Sequence, residues 1–135
     1  MRGWLAKLLG NKGERAAARY LRQQGYKIIA RNWSNHLGEL DIIAQQKTMD
    51  GPVLVFVEVK TRKSTQSGHP HEAVGHHKQS QLTRVGLSYL KTHGLLNHRA
   101  RFDVISILWP EDTKKPQIDH IQNAFEPPGR GQMYS

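Results

Sequence analysis

The 135-residue chain contains no cysteine, which excludes disulfide cross-links, thiol nucleophiles and Cys-ligated zinc. No apolar run approaches the roughly 18 residues a membrane span requires. The apolar part of Met1–Gly10 is too short for a secretory signal, so the expectation is a cytoplasmic protein with no membrane partner. Walker- or Rossmann-type glycine loops and a G-x-S-x-G elbow are both missing, which argues against NTPases and serine hydrolases. There is also no internal repeat and no low-complexity tract. The length suits one domain, and three tryptophans and four tyrosines in a non-repetitive sequence argue against general disorder. The expected layout is a domain over residues 12–126, an N-terminal extension over 1–11 and a flexible tail over 127–135.

Acid is scarce as well. Eleven Asp and Glu face twenty Lys and Arg, giving +9 and a pI near 10.1, a balance that suits a polyanionic partner such as nucleic acid. The charge is segregated. Eight bases and one acid leave residues 1–35 at +7, the same count recurs over 60–101, and residues 36–59 between them carry one base and four acids. A simple phosphate binder has no evident use for an acidic insert between two basic segments, whereas an enzyme that holds a cation against a phosphodiester does.

Apolar periodicity predicts a helix over 12–24, with Ala17, Tyr20 and Leu21 at helical spacing and Gly25 past its end. Strands follow over 26–33, 39–44 and 53–60, separated by a polar turn and by a loop over 45–52. A Ser/Thr/Gly-rich loop leads to a second helix over 71–93, then come strands over 101–109 and 118–125. The run Val53-Leu-Val-Phe-Val-Glu-Val-Lys60 is apolar enough for a central strand buried on both faces. A strand, a helix and another strand make a crossover unit, so the class is α/β: a mixed sheet flanked by helices.

The charged end of that central strand is its unusual part. Side chains alternate along a strand, so Glu58 and Lys60 share a face, and antiparallel pairing can bring Asp41 of Glu39-Leu-Asp-Ile-Ile-Ala44 beside Glu58. Two adjacent carboxylates raise one another's pKa and are costly to desolvate. A divalent cation resolves both, and Mg²⁺ or Mn²⁺ suits one or two carboxylates completed by water and phosphate oxygens. Spacing alone leaves an ordinary cross-strand salt bridge equally open. Glu14 falls at i, i+3, i+7 with Ala17 and Leu21, on the stripe facing the sheet, although a first-turn acid favouring the helix N-terminus would explain it too.

Gly38-Glu-Leu-Asp41 followed by Val57-Glu-Val-Lys60 resembles the PD-(D/E)XK nuclease signature, with Leu40 where the superfamily's proline would stand. A wider set resembles the YraN family of bacterial proteins. It comprises Gly13-Glu-Arg-Ala-Ala17, Tyr20-Leu21, Gly25-Tyr26, Arg31-Asn-Trp33, Gly38–Ala44, Phe56-Val-Glu-Val-Lys-Thr-Arg62, Gly68, Ala73-Val74, Lys78-Gln79, Arg101-Phe-Asp-Val104 and Asn123-Ala-Phe125. That family is similar in fold to Holliday junction resolvases and other restriction-endonuclease-like proteins. The resemblance implies a restriction-endonuclease-like fold and a metal-dependent site in which Asp41 and Glu58 hold Mg²⁺ or Mn²⁺. Lys60 would stabilise the developing charge, and Glu14 and the helix residue Gln79 would complete the catalytic set. Arg31, Arg62, Lys63 and Lys78 are the candidate nucleic-acid contacts. The expected activity is endonucleolytic hydrolysis of structured or branched DNA, with DNA placed ahead of RNA as partner and a homodimer possible. The alternative is a non-catalytic nucleic-acid-binding protein on a nuclease-like fold.

Three further signals receive no catalytic role. His69-Pro-His71 and His76-His77 read as solvated loop histidines rather than a zinc or nickel site. Trp4, Leu5, Leu8 and Leu9 among basic residues read as a helix docked on the domain. Asp103 shares a face with Ile105 and Ile107 and reads as a structural salt-bridge partner for Arg101 or a neighbour of the basic surface.

Overall fold

Five consecutive buried residues, Val53–Val57, form the spine of the protein. The computed structural model describes residues 2–64 and 74–127, with side chains from Leu8 onward. In chain order the elements are α1 (Arg2–Gln23), β1 (Lys27–Asn35), β2 (Gly38–Thr48), β3 (Gly51–Arg62), α2 (His76–Thr92), β4 (Ala100–Leu108) and β5 (Gln117–Ile121). The five strands form one sheet in sequential order, antiparallel throughout except for β3 and β4, which run parallel across the α2 crossover. One helix covers each face. Ala17, Leu21, Ile42, Val55, Val57 and Ile105 make the core under α1, while Ile43, Phe56, Leu82, Val85, Tyr89 and Phe102 make the core under α2. The result is a three-layer α/β/α fold that agrees with the restriction-endonuclease-like class.

Several boundaries differ from the sequence reading. The first helix starts at Arg2 rather than Lys12, so the segment read as an extension continues α1. Gly10 and Gly13 look like breakers but do not break it. A Cβ at Gly13 would run into the Thr61 side chain, so glycine here allows α1 to approach β3 closely. The loop expected over 45–52 is instead a tight hairpin in which Thr48 pairs with Gly51. The Thr48 hydroxyl donates to the Gly51 carbonyl at 2.6 Å and accepts from Asp50 N–H at 3.2 Å. The second helix starts at His76, with Val74 and Gly75 outside it. The last strand stops at Ile121, because Asn123 turns at φ 51° and sends Phe125 to stack on Phe102 at 4.9 Å between centroids. The histidines at 69 and 71 and the tail over 128–135 lie outside the described residues.

Gly86 sits against the aromatic core: a Cβ there would lie 2.8 Å from Phe102 Cζ and 3.2 Å from Phe56 Cδ2. Gly86→Ala is expected to destabilise by about 1 to 3 kcal/mol through overpacking, outweighing the up to about 1 kcal/mol that alanine adds to a helix. Gly10→Ala has open space around its new methyl and is expected to be neutral or stabilising. Urea denaturation of the two variants checks the contrast.

A polar network is buried on the α1 side. Asp103, 1 % exposed, accepts from Arg101 Nε at 2.9 Å and Nη2 at 3.1 Å and from Asn123 N–H at 2.9 Å, and lies 2.8 Å from His120 Nε2. Arg101 also donates to Gln46 Oε1 at 2.6 Å and to the Tyr26 hydroxyl at 2.9 Å. The Arg101–Asp103 salt bridge is present, and the bonds around it tie β4 to Tyr26 just before β1, to Gln46 of β2 and to His120 of β5.

Candidate active site

The site arises where the sheet opens. Strands β2 and β3 pair as far as Ile42 opposite Val57. Beyond that point β3 continues alongside β4 through Arg62, and the start of β2 stays with β1. A backbone N–H facing such an opening needs an acceptor, and Asp41 supplies it: its Oδ2 accepts from Val59 N–H at 2.9 Å. That bond holds the Asp41 carboxyl in the fork, within hydrogen-bonding reach of the Glu58 carboxyl. Asp41 and Glu58 are thus brought together as the strand register predicts. β1 accommodates the fork with Asn32, opposite Asp41 and in the left-handed region at φ 54°, a conformation that asparagine tolerates better than most residues.

Burial and mutual repulsion set the electrostatics. Glu58 is pushed up to about 7, first by burial and then by the Asp41 carboxylate, with Lys78 pulling the other way. Burial also raises Asp41, opposed by the Val59 N–H. Burial lowers Lys60, reinforced by neighbouring Arg62 and opposed by Glu58. Glu14 reaches the same region from the α1 side. Burial and then Asp41 raise its pKa, while Arg31, 4.0 Å away, and Asn32 oppose the rise. Its Oε1 is buried without a hydrogen-bond partner, as is Thr61 Oγ1. Because α1 begins at Arg2, Glu14 lies about three turns into the helix and has no first-turn role.

The other residues singled out from the sequence divide. Lys78 reaches into the patch, its Nζ 3.6 Å from Glu58 Oε2. Gln79 donates instead to the Val74 carbonyl at 3.0 Å, so its amide serves the start of α2. The resemblance had set Gln79 in the catalytic set and Lys78 among the phosphate contacts; the geometry puts Lys78 on the carboxylate. Arg31 and Arg62 flank the patch through their electrostatic contacts with Glu14 and Lys60. Lys63 is drawn away to exposed Glu111 at 2.8 Å. His76 and His77 are exposed at the head of α2. Asn32 and Thr61 carried no signal beyond their place in the quoted motifs, because a left-handed φ and an orphaned hydroxyl are visible only in three dimensions. A hollow of about 310 Å³ lined by Thr48, Val53, Arg99 and Arg101 lies at the opposite end of β3, away from these groups.

The raised Glu58 pKa fixes a sign. Its folded value lies above the ordinary 4.5, so this stability is fully present below about 4.5 and is lost as pH rises through about 7. The metal-free protein is expected to lose several degrees of Tm between pH 5 and pH 8, and Glu58→Gln to flatten that dependence. Calorimetry across the range is the check.

A mixed sheet between two helices, opening onto a partly buried carboxylate pair with adjoining lysines, defines an α/β protein of restriction-endonuclease-like architecture. The chain belongs to the family described as Uncharacterised protein family UPF0102 (YraN), whose profile matches residues 13–107. It is 42 % identical over 127 residues to a UPF0102 protein of Rhodopirellula baltica, covering 93 % of this chain and 75 % of that one. It is 48 % identical over 120 residues to a UPF0102 protein of Geobacter metallireducens, covering 89 % and 93 %. Among the described residues no helix is long and apolar enough to cross a membrane.

Proposed function

We propose that this protein is a divalent-cation-dependent endonuclease acting on structured or branched DNA. The observation that carries the reading is the partly buried Asp41–Glu58 pair in the sheet fork, with Lys60 two residues along the same strand. The donor set fits Mg²⁺ or Mn²⁺: both carboxylates are hard oxygen ligands, and the Oε1 of Glu14 nearby is buried without a hydrogen bond, its one ion-pair contact among the described residues being Arg31 at 4.0 Å. Among the described residues no three His, Asp or Glu side chains form a cage of their own. Such a set suits an ion that keeps waters and takes substrate phosphate oxygens. A bound cation would supply charge to polarise the phosphoryl oxygen and lower the pKa of the attacking water.

The chain's own groups do the rest. Asp41 is locked by the Val59 N–H, so its carboxylate needs little reorganisation. Lys60, held on β3, neutralises charge that develops on the phosphate. Arg31 and Arg62 line the approach, and the +9 net charge draws the backbone in. One observation favours a binding-only protein: Lys78 already neutralises Glu58 without any cation. Incubating labelled linear, flapped and four-way-junction DNA and structured RNA with Mg²⁺ or Mn²⁺ tests both. Cleavage of one DNA structure that falls steeply with added salt is the expected result. Salt-sensitive binding with no cleavage of any substrate would establish the binding-only protein instead.

A further inference from the structure

Lys78 stands in an unfavourable place for its charge. It is the third residue of α2, in a first turn that holds no acid, where the helix dipole disfavours a cation. Its stem is half-exposed, 44 % accessible, yet the ammonium turns in to lie 3.6 Å from Glu58, whose side chain is only 13 % accessible. Lys60 approaches the same carboxylate from β3. Among the described residues, however, Lys78 is the lysine within ion-pairing distance of Glu58.

We propose that Lys78 is an internal stand-in for the divalent cation: its ammonium pairs with Glu58 and must be displaced for the ion to bind. This rests on the metal-site reading above and goes beyond it in giving the site a competitor of its own. Two cations on one carboxylate repel, so the ion and the Lys78 ammonium exclude each other. Once displaced, the ammonium remains at the rim on its four-carbon stem, where an incoming phosphate is the natural acceptor. Ion binding and nucleic-acid binding are then mutually favourable, because each removes Lys78 from the group the other needs free.

The test measures Mn²⁺ binding to the full chain without nucleic acid, by the loss of the free-ion electron paramagnetic resonance signal. Lys78→Met is expected to bind Mn²⁺ about five- to tenfold more tightly than wild type, the lower range of site-to-site coupling. Lys78→Arg, which keeps the charge, should return close to wild type. Arg84→Met removes an exposed charge elsewhere on α2 and should leave Mn²⁺ affinity unchanged, which separates displacement from a general loss of positive charge. Equal or weaker binding by Lys78→Met overturns the stand-in and leaves the metal site intact. Tightening by Arg84→Met to the same degree also overturns it. Absence of Mn²⁺ binding in all four proteins overturns the metal-site reading and the stand-in with it.

Discussion

For the nuclease proposed here, Lys60→Ala is expected to cut DNA about 10² to 10³ times more slowly than wild type while binding it nearly as well, the usual cost of removing one preorganised electrostatic group. The small effect on binding follows from the number of other contacts: with nineteen Lys and Arg left, one lysine contributes little to attraction of the backbone. The large effect on rate follows from position. Lys60 lies on β3 beside Glu58, in a partly buried region where burial already lowers its pKa. A charge in such surroundings acts more strongly than one in water. Glu58→Ala is expected to lose at least as much activity and, unlike Lys60→Ala, also to lose the Tm increase that the proposed metal site predicts for the wild type in Mn²⁺, since a ligand binding only the folded state stabilises it. A Lys60→Ala protein that cleaves at the wild-type rate would remove the lysine from the chemistry. A Glu58→Ala protein that keeps its metal-dependent Tm increase would move the ion elsewhere.

The fold was largely legible because its centre is written in one contiguous run. Val53–Val57 can only be a strand buried on both faces, and the helix and strand after it impose a parallel crossover. The pairing of Asp41 with Glu58 was legible only in part: a period of two set the face of each side chain, but the loop expected over 45–52 left the register open, and the Thr48–Gly51 hairpin is what fixes it. What the sequence hid depends on contacts across the structure. Gly13 and Gly86 are each the small residue that lets a helix approach Thr61 or Phe102, a role visible only in the packing. The fork between β2 and β3 is invisible in a pattern of apolar residues, because both strands continue as strands on either side of it. The choice between Lys78 and Gln79 on α2 turns on one step of helix rotation, about 100°. Periodicity with errors of a residue or two cannot resolve that step.

Asp103→Ala is expected to cost about 3 to 5 kcal/mol, because removing one partner of a buried ion pair leaves the other charge without compensation. Two Arg101 nitrogens and the Asn123 N–H donate to this carboxylate, and His120 lies against it, with 0 % of the Asp103 side chain accessible. Burial alone would raise its pKa, but the hydrogen bonds from His120, Arg101 and Asn123 together outweigh burial and hold it below the usual carboxylate value. A lowered folded pKa gives stability that is present above the unfolded value near 3.9 and lost as pH falls through the folded one. Asp103 and Glu58 therefore act at opposite ends of the pH range, and the metal-free protein should be most stable between them. Replacing the pair together, as Arg101→Met with Asp103→Leu, should recover most of the single-mutant loss, since apolar substitutes for a buried ion pair are often neutral or better. Recovery falls short to the extent that Arg101 also serves Gln46 and Tyr26. Chemical denaturation of the single and double variants decides it: a double mutant as unstable as Asp103→Ala would show that the arginine's bonds to β1 and β2, not its charge pairing, are what the network contributes.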